Sequence, residues 1–534
     1  MYVRIRKQEV RSSMSDTKWT IEQERVIKTR DCNLLVSAAA GSGKTAVLVE
    51  RIISMVMGKY GNDPIDIDNL LVVTFTRAAA GEMRERVLKA LEEAAAKDPL
   101  NEHLRKQTTY IHNAKITTID SFCNDIVREY FSDIDLDPGF KIGDTGELKL
   151  MQSDAIEKVL EESYQIGDKD FFRFIDEYSS SKSDDDVVEA ILTLYNFASS
   201  YPNPRKWLDD LCHMYEEENA KEWLDIIVAS IKEQVLECQR SVNMAFELSN
   251  IPAFDKYLKV FGEEKAYIDG ITKEDDFEKL GRLIKGMEFA RMPIVKGLSV
   301  EDELIKKRIV SLRDGYKKVI KKLASKFFGR SYEDIVKDVT GCYPLVKVLV
   351  DLTVRFMDEY KAIKTDKDML DFSDLEHYAL EILVKEDEEG NYVPTETALS
   401  ISKDFYEIMI DEYQDSNLVQ EIILNAVSGR GVDASNIFMV GDVKQSIYKF
   451  RLARPELFLG KYDTYDLIDN DDINMQGKDG KIVLSSNFRS RYQVLDFCNM
   501  IFIQENIYLS RSFCNQKIQA CKKQPQIRRA CGCT

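Results

Sequence analysis

Eight consecutive residues, Ala38-Ala39-Ala40-Gly41-Ser42-Gly43-Lys44-Thr45, have the types and spacing that hold phosphate groups. The apolar run Asn33–Ser37 precedes them, and Ala46–Ile53 follows with helical character. Strand, Gly-rich turn and helix is the context such a loop needs. Backbone N–H groups of the turn and of the helix N-terminus cradle phosphates. Lys44 is placed to reach β- and γ-phosphates, and Thr45 to hold Mg²⁺. The usual pattern opens with Gly, and this chain has Ala38 there.

A second constellation is Ile408-Met409-Ile410-Asp411-Glu412-Tyr413-Gln414-Asp415, an apolar strand ending in carboxylates. Asp411 is placed to bind Mg²⁺, and Glu412 to orient and deprotonate an attacking water. An Asp-Glu pair alone is most often a solvated turn; after a strand, with a phosphate loop upstream, it gains force. The third constellation, Gly441–Arg451, again follows an apolar run. Gln445 is suited to sense a γ-phosphate. Tyr448 and Phe450 offer faces on which bases stack, at about 1–3 kcal/mol per base. They read equally well as core residues.

These motifs require parallel strands that end at one edge. Apolar runs predict strands at Asn33–Ser37, Leu70–Phe75, Lys115–Thr118, Ile408–Ile410, Ile437–Val440 and Ile482–Leu484. Asn470–Asp472 and Gly477–Gly480 mark a loop before the last of them. Residues 126–365 are rich in Glu, Lys, Leu and Tyr at helical spacing and read as a helical insertion. The fold class expected is therefore α/β, a parallel-sheet P-loop NTPase domain interrupted by a large, mostly helical insertion. The expected divisions are an N-terminal extension at 1–16, motor segments at 17–125 and 366–503, the insertion at 126–365, and an aberrant tail at 504–534. Met14 is an alternative start. Past Gln504 periodicity gives way to Lys, Arg, Gln and Cys, as expected of a sequence read out of frame. The tail's Cys514, Cys521, Cys531 and Cys533 have no recognised zinc spacing.

The net charge of −18 argues against a surface coated for nonspecific nucleic-acid binding. It leaves room for a local basic groove. Glu301–Phe328 carries nine Lys and Arg residues, read first as a solvated helix face and second as a contact for a nucleic-acid backbone. Cys32, Cys123, Cys212, Cys238, Cys342 and Cys498 read as buried, reduced thiols. Without an apolar span of 18 residues or a signal core, the expectation is a cytoplasmic protein with no membrane partner.

The order of motifs resembles the UvrD/Rep-type superfamily 1 helicases. It runs through Trp19-Thr20-x-x-Gln23, Ala39–Thr45, Val72–Met83, Ile116–Cys123, Asp371–Leu375, Asp411–Asp415, Gly441–Arg451 and Leu484–Ser490. Within that family the chain is most similar to AddA-type subunits of bacterial helicase–nucleases. The resemblance implies a RecA-like motor that hydrolyses ATP with Mg²⁺, steps along single-stranded DNA and opens duplex ends in double-strand break repair and recombination, beside an AddB-like partner subunit. Carried over residue by residue, it implies that Gln23 reads adenine, supported by Trp19 and Thr20. Lys44, Thr45 and the loop Ala38–Gly43 bind ATP–Mg²⁺. Thr74, Phe75, Thr76 and Thr118 lie against DNA, with Thr117 and Ser121. Gln445 couples nucleotide state to DNA through Tyr448 and Phe450. Phe488 stacks on adenine, and Arg489 reaches the γ-phosphate.

Two departures stand out. Arg77 replaces the family's Asn, adding charge near the DNA path. The later motifs, with a second arginine, and a nuclease domain have no counterpart here. The expectation is that this chain binds ATP–Mg²⁺ but turns it over poorly and neither unwinds nor cuts DNA. The alternatives are a plain repair helicase without nuclease, a non-motor P-loop ATPase module, and a remnant of a disrupted gene.

Overall fold

The computed structural model describes residues 19–61, 63–179, 183–429, 435–446, 452–469, 475 and 477–505. The 1–16 extension, Tyr448, Phe450, Arg451 and the tail past 505 lie outside the described residues. A seven-stranded sheet organises the chain. Its strands are β1 (Asn33–Ala38), β2 (Leu70–Thr74), β3 (Lys115–Thr118), β8 (Glu407–Asp411), β9 (Ile437–Gly441), β10 (Asp466–Leu467) and β11 (Asp479–Leu484). Two small pairs account for the intervening numbers: β4 (Lys141–Ile142) with β5 (Met369–Leu370), parallel, and β6 (Val384–Glu386) with β7 (Tyr392–Pro394), antiparallel. The large sheet runs in the order β10-β11-β1-β9-β8-β2-β3, and every pairing is parallel.

Parallel strands covered on both faces read as continuous apolar runs, which is why these were legible. Alternate residues serve opposite faces. Leu35, Leu71, Val73, Ile408, Ile410 and Met439 pack into one core; Leu34, Val36, Val72, Met409, Phe438 and Val440 pack into the other. Over the second face lie α1 (Ile21–Lys28), α2 (Lys44–Val56), α3 (Arg77–Lys97) and α4 (Glu102–Tyr110). Residues of α5 (Ile119–Glu129) pack into the first core.

The helices of the insertion are α6 (Thr145–Ile166), α7 (Lys169–Tyr178), α8 (Asp185–Ser199), α9 (Pro204–His213), α10 (Ala220–Leu248), α11 (Asp255–Thr272), α12 (Phe277–Gly286), α13 (Val300–Phe327), α14 (Tyr332–Gly341) and α15 (Tyr343–Asp366). They bury their own apolar faces, α6–α8 with α15 in one cluster and α10–α13 in another. The chain then returns through α16 (Phe372–Leu383), α17 (Glu396–Ser402), α18 (Leu418–Ala426) and α19 (Pro455–Thr464) to α20 (Tyr492–Glu505). The first four complete the first core.

Several sequence expectations need adjustment. The helical block starts at Thr145, not at 126, because Ile126, Val127 and Phe140 are buried in the first core beside the sheet. Strand β11 begins at Asp479, two residues inside the stretch read as a loop. Cys32, Cys123, Cys212 and Cys238 are buried, but Cys342 and Cys498 are exposed. The basic run on α13 is divided. Arg313 is buried against Glu264, Lys306 pairs with Glu303 at 3.4 Å, and Lys317 lies over the Phe289 ring. Lys307, Arg308, Lys318, Lys321, Lys322 and Lys326 remain exposed. No helix among the described residues is long and apolar enough to cross a membrane.

Candidate nucleotide and nucleic-acid site

Because all seven strands are parallel, their carboxyl ends share one edge, where open α/β sheets bind ligands. The sequence motifs sit there: Ala39–Thr45 after β1, Phe75–Arg77 after β2, Thr118 at the end of β3, Asp411–Asp415 after β8, Asp442–Gln445 after β9, and Ser485–Arg489 after β11.

Gly41 and Gly43 take φ of +73° and +85°, a region that L side chains rarely adopt. A Cβ on Gly41 would also lie 2.9 Å from both Arg489 Cβ and Asn487 Oδ1. The loop thus passes close under the segment after β11. Asn487 Nδ2 donates to the Ala40 carbonyl at 2.9 Å, and the Phe488 N–H donates to the Gly41 carbonyl at 2.8 Å. Helix α2 opens on Lys44 with no side-chain cap. Its first N–H groups, at the positive end of the helix dipole, suit an anion. Ser42 Oγ is buried without a hydrogen-bond partner among the described residues, a second sign of a cradle for phosphate oxygens.

Ala38, at the head of the loop motif, is 1 % exposed and ends β1. Its methyl group packs into the second core, and its backbone does not need the left-handed region. That accounts for Ala where the pattern has Gly. Gln23 is the third residue of α1. It closes a capping box with Thr20, and its Nε2 donates to the Ser42 carbonyl at 3.0 Å. Thr20, Gln23, Ser42, Leu484–Ser486 and Phe488 line a groove beside the loop. Phe488 is half exposed there, while Trp19 packs on the second core.

Lys44 Nζ lies 2.9 and 3.1 Å from the two Glu412 carboxylate oxygens, bringing the first and second constellations together across the fold. Asp411 ends β8, and its carboxyl is pushed up to about 6 by burial first and by the Glu412 charge second. The Glu412 N–H donates back to Asp411 Oδ1 at 3.0 Å. Glu412 itself sits at φ +53°, an unusual conformation for a non-glycine residue and one that clusters at functional sites. Asp411 and Thr45, the residues expected at a cation, offer hard oxygen donors of the kind that suits Mg²⁺. A cation would also offset the burial and the Glu412 charge that raise the Asp411 carboxyl.

Gln445 does not point freely. Its Nε2 donates to Asp442 Oδ2 at 2.8 Å. Asp442 N–H in turn donates to Gln414 Oε1 at 2.9 Å, and Gln414 Nε2 donates to Glu412 Oε2 at 2.9 Å and Asp415 Oδ2 at 3.0 Å. Gln414 therefore links the ends of β8 and β9. It was visible in the second motif, but only its contacts reveal the link. Arg489 is exposed beside Gly41.

The residues expected against DNA divide. Thr74 and Thr118, paired across β2 and β3, are 2 % and 5 % exposed. Thr74 Oγ1 donates to the Thr76 carbonyl, and Thr118 Oγ1 caps α5 by accepting from the Ser121 N–H. Their hydroxyls are committed to local structure, and Thr76 Oγ1 likewise caps α3 by accepting from the Ala79 N–H, but Thr76 is exposed and Phe75 half-buried where Thr74 and Thr118 are buried.

A family model described as UvrD/REP helicase N-terminal domain matches residues 19–466. Bacterial proteins named as A-type subunits of an ATP-dependent helicase/nuclease are similar to this chain. That of Lachnoclostridium phytofermentans is 44% identical over 500 residues, covering 92% of this chain and 36% of the relative. That of Clostridium perfringens is 44% identical over 497 residues, covering 91% and 38%. That of Acetivibrio thermocellus is 41% identical over 505 residues, covering 91% and 39%. The chain thus spans just over a third of the length of these relatives. With the matched model covering most of the chain, and the motifs meeting at one sheet edge, this protein belongs to the UvrD/Rep helicase family.

Proposed function

We propose that this chain carries the ATP-binding half of a DNA motor, part of a helicase–nuclease that acts in double-strand break processing with an AddB-like partner in the bacterial cytoplasm. The observation that carries the reading is the contact between Lys44 and Glu412, which joins a phosphate loop to a carboxylate pair at the edge where the strands end. The motor body is assigned to the sheet with α1–α5 and α16–α19, and the helices from Thr145 to Asp366 to an insertion.

The loop Ala39–Gly43 and the α2 N-terminus bind the phosphates of ATP, and Lys44 neutralises the β- and γ-oxygens. Gln23 and Phe488 flank adenine. Thr45 and Asp411 hold Mg²⁺, which supplies charge neutralisation along the phosphate chain. Glu412 takes the proton of the attacking water, and Gln445 with Arg489 senses the γ-phosphate. Thr76 and Phe75 face single-stranded DNA, as do Tyr448 and Phe450 from outside the described residues. Hydrolysis drives stepping by opening and closing a cleft against a further motor domain. An arginine supplied from that domain contributes about 10³–10⁵ in rate, so this chain alone binds ATP–Mg²⁺ and turns it over slowly.

The test is ATP binding and turnover by this chain with and without single-stranded DNA, against Lys44→Ala. Binding with slow turnover, both lost in the variant, is the expected result. A chain that binds no nucleotide, or that separates DNA strands unaided, overturns it.

A further inference from the structure

Glu376 stands out among the buried groups that the nucleotide chemistry does not use. It lies on α16, is 7 % exposed, and sits amid the first apolar core. No cation pairs with it among the described residues. Burial pushes its carboxyl up to about 7, with the Asp120 and Asp371 charges adding, against the amide hydrogen bonds that hold the ion. A buried carboxylate with no counter-ion is unfavourable on its own.

Its contacts say what it holds. Oε1 accepts from Gln420 Nε2 at 2.7 Å, and Oε2 accepts from Asn417 Nδ2 at 3.3 Å. Asn417 and Gln420 are the two halves of the capping box that begins α18. An ionised carboxylate only accepts, so it turns both NH₂ groups toward α16. That leaves both amide oxygens for the cap: Asn417 Oδ1 accepts from Gln420 N–H at 2.8 Å, and Gln420 Oε1 accepts from Asn417 N–H at 3.3 Å. Asn417 closes the short segment that starts at Asp411 and Glu412. Glu376 itself is held firmly. The α16 N-terminus is a capping box of Asp371 and Asp374, and Lys364 at the end of α15 donates to both carboxylates at 2.8 and 2.5 Å.

We propose that Glu376 is a positioning residue for the carboxylate pair: by fixing the amide orientations of the α18 cap, it sets the backbone from Asp411 to Asn417 on which engagement of Mg²⁺ with bound ATP depends. The inference rests on the nucleotide-site reading above. In Glu376→Gln one of the two accepting oxygens becomes an NH₂ that faces a neighbouring NH₂ group, so that neighbouring amide must turn and withdraw its oxygen from the cap. Nothing at the phosphate loop changes.

The experiment is equilibrium binding of a fluorescent ATP analogue to the whole chain, in Mg²⁺ and in EDTA, with melting curves to confirm folding. Glu376→Gln is expected to keep its EDTA affinity within about twofold and to lose about tenfold of the Mg²⁺-dependent gain, the scale typical when a residue supporting a metal site is changed. Should that variant fail to fold, the Glu376→Leu/Gln420→Leu pair removes acceptor and donor together, an exchange that proteins tolerate better. It is expected to show the same selective loss. A wild-type gain in Mg²⁺ retained by either folded variant overturns the proposal alone. A wild-type chain that binds no analogue overturns it together with the nucleotide-site reading.

Discussion

Lys44 is shared between a carboxylate and the phosphates it is positioned to receive, and that competition governs the residue-scale predictions. Lys44→Ala removes the cation and leaves Glu412 facing the phosphates; ATP affinity measured by calorimetry should fall by about 10²-fold or more, since two favourable charge contacts become one repulsion. Glu412→Gln keeps a hydrogen-bonding partner for Gln414 but cannot take a proton. Single-turnover hydrolysis should drop by about 10²–10⁴-fold while ATP–Mg²⁺ binding stays within a few-fold. Gly41→Ala forces a side chain into positive φ and against Asn487 and Arg489. It should cost about 1–2 kcal/mol in melting stability and weaken nucleotide binding measurably. The lysine, the acidic pair and the glycines were legible in the sequence because each has a local signature. The αL conformation of Glu412 and the Gln414 bridge were not, since both arise from how β8 and β9 end side by side.

At the scale of elements, two buried carboxylates behave in opposite ways. Glu407, at the start of β8, receives Arg51 of α2 through Nε at 2.6 Å and Nη2 at 2.9 Å; Arg51 also donates to the Val26 carbonyl of α1. One guanidinium therefore binds the adenine-side helix, the phosphate-loop helix and the carboxylate strand together. Arg51→Met should destabilise the chain by about 3–5 kcal/mol in urea unfolding by stranding Glu407, and adding Glu407→Leu should recover much of it. Among the described residues Glu376 has no such partner. Its pKa rises from 4.5 unfolded to about 7 folded, so its contribution to stability is full below about pH 4.5 and is lost as pH rises through about 7. Melting midpoints should fall across that window, and Glu376→Gln should flatten the fall. Long apolar strands and amphipathic helices were readable from periodicity. The two-residue strands β4, β5 and β10 carry no run to read, and the insertion's start was set too early because α5 has the same helical spacing as the block that follows. Nothing in the sequence flags Glu376, whose partners lie 41 and 44 residues away.

For the molecule as a whole, the insertion buries its own cores, and the sheet holds together through strands remote in the chain. Tyr492, Val494 and Phe497 of α20 are exposed to solvent. On the proposed reading, a chain of the relatives' length should turn over ATP about 10³-fold or more faster than these residues alone in a steady-state assay. Strand order also fixes a timetable. Strand β1 is flanked by β9 and β11, so the strand carrying the phosphate loop acquires its neighbours only after the insertion has left the ribosome. At roughly 5–20 residues per second, β1 waits on the order of 20 seconds to a minute and a half. During that interval Leu34, Leu35 and Val36 are unpaired, sticky segments that chaperones can bind. The independently packed helical insertion can fold in the meantime. Stalled nascent chains ending before Ile437 should remain protease-sensitive at residues 33–56 while the insertion is already protected, and protection of the phosphate loop should arrive abruptly once Leu484 has emerged.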